Sequence, residues 1–60
     1  MFEYEAKKIV VFYSDGNNFS IENEDGIIVH VEDDWITVKE EDKYVNISVA
    51  KVDRFNVYTK

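Results

Sequence analysis

Sixty residues, 45% hydrophobic and 15% aromatic, suffice for one small domain (residues 1–60) and leave no room for a second. At this size roughly 60% of the unfolded chain's surface is buried on folding, so the core is near the lower limit for independent stability. Cysteine is absent and histidine occurs once, which excludes disulfide or structural-zinc staples and leaves apolar packing or a partner chain to hold the fold. Thirteen acids against seven bases give a net charge of −6, which opposes a phosphate-binding surface and suits a basic partner.

Nine valines and six isoleucines suit pleated surfaces, and Pro is absent. No apolar run is long enough to span a membrane, and Met1-Phe2-Glu3-Tyr4-Glu5 lacks the basic-then-apolar layout of a signal peptide. The expectation is a cytoplasmic protein without membrane contact.

Residues 1–8 alternate charged and apolar types without a clear phase, so their conformation stays open between a helical turn and a strand edge. Ile9-Val10-Val11-Phe12-Tyr13 is apolar on both faces, which predicts a strand whose second face is covered by a bend of the sheet or by another subunit. Ser14-Asp15-Gly16-Asn17-Asn18 supplies a reversal. Phe19 to Asn23 reads as strand two, and Glu24-Asp25-Gly26 as a second Asp-Gly turn leading into strand three, Ile27 to Glu32. Asp33-Asp34 separates that strand from strand four, Trp35 to Lys39. The acidic stretch Glu40-Glu41-Asp42-Lys43 opens into strand five, Tyr44 to Val49.

The alternation then slips. Continuing the phase of Val45, Ile47 and Val49 would bury Lys51 and Asp53 and expose Val52, yet Phe55 and Val57 resume the odd-numbered phase. One turn of 3₁₀ helix, or a bulge, over Ala50 to Arg54 resolves the conflict before the last strand, Phe55 to Thr59. The expected fold is all-β: a five- or six-stranded meander.

From Ile9 to Tyr58 this layout resembles the SH3-like and Sm-like small barrels. Val11-Phe12-Tyr13-Ser14-Asp15-Gly16 stands in the place of the first strand and turn, and Tyr44-Val45-Asn46-Ile47-Ser48-Val49 precedes the 3₁₀ turn. The resemblance implies closure into a barrel and, as one function, Sm-like nucleic-acid binding. Where Sm-like proteins carry an Asp and Asn pair and an Arg-Gly or Tyr-Lys-His signature, this chain reads Asp33-Asp34-Trp35 and Lys43-Tyr44-Val45-Asn46, with no Arg-Gly.

Catalysis needs convergent groups, and no nucleophile, base and orienter can be assembled around the single histidine. His30 lies in the phase opposite to Ile27, Val29 and Val31 and is expected to face outward beside Ile28. The acids fall in three clusters: Glu22, Glu24 and Asp25; Glu32, Asp33 and Asp34; Glu40, Glu41 and Asp42. Alternate turns of a meander share an end, which places the first and third clusters at one pole and the second with Asp15 at the other. No cluster has the spacing of a calcium loop. Acidic turns discourage sheet-to-sheet aggregation, and Glu32, Asp33, Asp34, Glu40, Glu41 and Asp42 are also candidates for recognising a basic protein.

Trp35, Tyr44 and Tyr58 occupy the phase opposite to the core of their strands, and with Tyr13, His30, Asn46 and Asn56 they are candidates for an exposed interface stripe. The reading is a non-enzymatic binding or regulatory module acting through protein contacts as a homo-oligomer, with no cofactor and no metal. The alternatives are a phage-type acidic inhibitor that imitates nucleic acid and occupies a basic cleft, and an Sm-like nucleic-acid binder.

Overall fold

A computed structural model describes residues 2–60. Five strands follow one another: β1 (Phe2–Tyr13), β2 (Asn18–Val31), β3 (Trp35–Lys39), β4 (Tyr44–Ser48) and β5 (Val52–Tyr58), with a 3₁₀ turn, η1 (Val49–Lys51), before the last. All pairings are antiparallel and the strand order is β4-β3-β2-β1-β5. The ladder therefore ends at β4 on one side and β5 on the other, and the sheet is not closed into the barrel that the resemblance implied. No helix among the described residues is long and apolar enough to cross a membrane.

The ambiguous N-terminal residues are the first half of β1. Phe2, Tyr4 and Ala6 pair with Val31, Val29 and Ile27, whereas Ile9 and Val11 pair with Ile21 and Phe19. The inward phase thus changes from even to odd across Lys7 and Lys8, where the register shifts. On β2 the same irregularity absorbs Asn23 to Gly26 and corrects one sequence expectation: Asp25-Gly26 is no hairpin turn, and residues 18–31 form one bent strand. The Asp25 N–H donates to Asn23 Oδ1 at 2.8 Å, Gly26 takes φ +95°, and Lys7 Nζ donates to the Glu24 carbonyl at 2.9 Å. A local Asx turn and a positive φ make a kink here, and β1 running alongside carries the strand through it.

Two half-sheets result from the bends. One contains the second half of β1 between the start of β2 and β5; the other contains the first half of β1, the end of β2, β3 and β4. Their inner faces enclose the core of Ala6, Ile9, Val11, Ile27, Val29, Ile36, Val38 and Ile47, against which Phe19, Ile21, Val45, Phe55 and Val57 pack.

Short loops do the rest. At the first hairpin the Gly16 N–H donates to the Tyr13 carbonyl and the Tyr13 N–H to Asn17, with Gly16 at φ +92° and Asp15 Oδ1 accepting from the Asn17 N–H. The slip before the last strand uses both devices expected: η1 forms, and Asp53 is bulged out between Phe12↔Arg54 and Tyr13↔Val52. Both ends of η1 are tied to hairpin loops, since the Val49 N–H donates to the Asp34 carbonyl and the Lys51 carbonyl accepts from the Ser14 N–H and hydroxyl.

Candidate protein-binding surface

Strand parity decides which side chains share the outer face of the β2–β3–β4 half-sheet. Its cross-strand rows are Glu5-Ile28-Lys39-Tyr44, then Glu3-His30-Thr37-Asn46, then Trp35-Ser48. Trp35 is 49% exposed and Tyr44 65% exposed, with half-buried Ile28 in the same face. The middle row is polar and internally bonded: the Thr37 hydroxyl donates to Asn46 Oδ1 at 2.7 Å.

His30 lies between two carboxylates, with Nε2 2.7 Å from Glu32 Oε1 and Nδ1 3.4 Å from Glu3 Oε2. The bond to Glu32 and then that to Glu3 raise its pKa above the ordinary histidine value, because an imidazolium donates to both while the neutral ring donates to only one. These two bonds tie the start of β1 and the end of β2 together across the outer face.

Of the seven residues expected in one stripe, the structure brings Trp35, Tyr44, His30 and Asn46 onto this face. Tyr58 and Asn56 lie elsewhere, on the outer face of the other half-sheet, where Lys8 Nζ sits 5.7 Å from the Tyr58 ring centroid. Tyr13 is not in an exposed stripe: it follows the inward phase of Ile9 and Val11 and stacks on Phe19 with ring centroids 5.7 Å apart. The outer side of the doubly apolar run is partly shielded by Arg54, whose guanidinium carbon is 4.4 Å from the Phe12 ring centroid.

Asp25 lies within bent β2 and not in a hairpin turn, so the placement of the acids follows the bends of the sheet. Asp25, Glu40 and Glu41 line one open cleft with Glu5, Lys7 and Lys39. Asp33 and Asp34 form the loop that meets η1 at the other pole, where the Asp15 loop also docks through Ser14. Glu32 belongs to the histidine cluster, and Asp42 lies in the β3–β4 loop closed by the bond from the Glu40 N–H to the Lys43 carbonyl. Among the described residues, no three His, Cys, Asp or Glu side chains converge as metal ligands.

Sequence parity overlooked one apolar pair. Phe2 and Tyr4 are on the inner face, stacked with centroids 6.5 Å apart, yet are 63% and 40% exposed. The even-phase series Phe2, Tyr4, Ala6 was the available signal. No protein-family model, curated protein or solved structure matches the chain.

Proposed function

We propose that the protein is a non-enzymatic binding module acting through protein contacts, and that the outer face of β2, β3 and β4 is its contact surface, first of all with a second copy of the chain. The carrying observation is the joint exposure of Trp35 and Tyr44 on a single face with Ile28. Large aromatics of this kind concentrate binding energy at interfaces. Self-association also adds the apolar burial that so small a core lacks. We further read the curled sheet as an open form of the SH3-like layout.

Light scattering over a concentration series, read together with Trp35 fluorescence, tests this. A mass above one chain and a Trp35 spectrum that shifts on dilution are expected; a monomer at high micromolar concentration with an unchanged spectrum overturns self-association. A second reading, an acidic inhibitor occupying a basic cleft, is favoured by the gathering of Asp25, Glu40 and Glu41 at one pole. It predicts a salt-labile complex with a nucleic-acid-binding protein, indifferent to Trp35→Ser.

A further inference from the structure

The first half of β1 is paired on one side only. Phe2 to Ala6 bond to β2, whereas β5 pairs with β1 from Lys8 to Tyr13. Alternate backbone N–H and C=O groups of Phe2–Glu5 therefore point away from the sheet with no strand among the described residues to receive them. Edges of this kind take up extended segments of other chains.

Both faces of the edge show which segment fits. On the inner face, Tyr4 is 40% exposed although its cross-strand neighbour Val29 is fully buried, and Phe2 is 63% exposed beside Val31. Val31 also lines an open hollow with Ile36, Val49, Val52 and Phe55, bordered by Asp53 and Arg54. On the outer face the same segment presents Glu3 and Glu5. Glu3 reaches only His30, at 3.4 Å, and Glu5 makes no ion pair among the described residues.

A second copy of the segment fits poorly. Antiparallel pairing about Tyr4 sets Glu3 against Glu5 of the copy, and in-register parallel pairing brings like residues alongside one another. Like charges directly opposite are destabilising. We propose that the free edge of β1 at Phe2–Glu5 receives an extended segment of a partner protein in which basic and apolar residues alternate, its apolar side chains beside Phe2 and Tyr4 and its basic ones beside Glu3 and Glu5. This rests on the reading of the protein as a protein-binding module and names the chemistry of a partner.

The probe is a peptide amide of about seven residues, a typical strand length, in which Lys alternates with Val. Two further versions carry backbone N-methyl groups, one on the amide nitrogen of every Lys and one on that of every Val, with the Lys ammonium groups left unchanged. A strand's residues point their amides alternately to opposite edges. One methylated version should therefore bind as the parent does and the other should fail, while the Glu3→Lys, Glu5→Lys double variant weakens the parent roughly tenfold or more. Binding should also slow hydrogen exchange at outward amides within Phe2–Glu5. Equal binding of all three peptides, unchanged affinity in the double variant, or no binding of the parent overturns the proposal. Binding lost in Trp35→Ser but kept in the double variant also overturns it, while leaving the outer-face reading intact.

Discussion

His30 is held by hydrogen bonds to Glu32 and Glu3, and both favour the charged ring. Its direct neighbours, Thr37 across the ladder and Ile28 along the strand, carry no charge, and the opposite charges Glu5 and Lys39 flank Ile28 one row away. A raised folded pKa means that the associated stability is fully present below the unfolded value, about 6.5, and is lost as pH rises through the folded value. Urea denaturation of the protein and of His30→Gln should therefore show the larger gap between about pH 5 and 6.5 and a smaller one at pH 9. An NMR titration should place the His30 midpoint above 6.5. A gap that widens with rising pH would contradict the role given to the two carboxylates.

Strict alternation from Ile27 to Ile47 made β3, β4 and the end of β2 readable, and it makes a sharp test of phase. Ile36 is 1% exposed, so Ile36→Ala should cost about 2–5 kcal/mol in chemical denaturation. Neighbouring Thr37 faces outward and loses only its bond to Asn46, so Thr37→Ala should cost about 1 kcal/mol. Gly26 was harder to read, because Asp-Gly announces a positive φ and not how far the chain turns. The same local signal makes a hairpin at Gly16 and a kink at Gly26; the difference lies in β1, whose Lys7 holds the kinked segment from across the ladder. Both glycines should resist substitution, with Gly16→Ala and Gly26→Ala each costing about 1–2 kcal/mol. The two costs should be alike, since both come from the positive φ: a Cβ at Gly26 makes an ordinary contact 3.4 Å from the Ala6 carbonyl oxygen and one at Gly16 meets open space. A much larger cost at Gly26 would mean that β1 presses on the kink more tightly than this spacing allows.

For the whole molecule, parity identified which side chains point outward but not which of them share a face. Trp35 and Tyr44 fall together because β3 and β4 pair directly, and Tyr58 falls apart from them because β5 crosses through η1 to pair with β1. Net charge then separates the two kinds of partner. Two copies of a chain carrying −6 repel at long range, and salt screens that repulsion over a distance of about 10 Å at 0.1 M. Self-association through the aromatic face should therefore strengthen as NaCl is raised, whereas a basic segment on the β1 edge should be released. Light scattering across a salt series checks the first and peptide titration the second. The Trp35→Ser, Tyr44→Ser double variant should stay monomeric at every salt concentration and, at dilutions where the unaltered chain is monomeric too, share its unfolding midpoint, because exposed substitutions change stability by within about 0.5 kcal/mol. A double variant that still associates would move the interface off this face, leaving Tyr58 and the outer side of β5 as the aromatic surface to test.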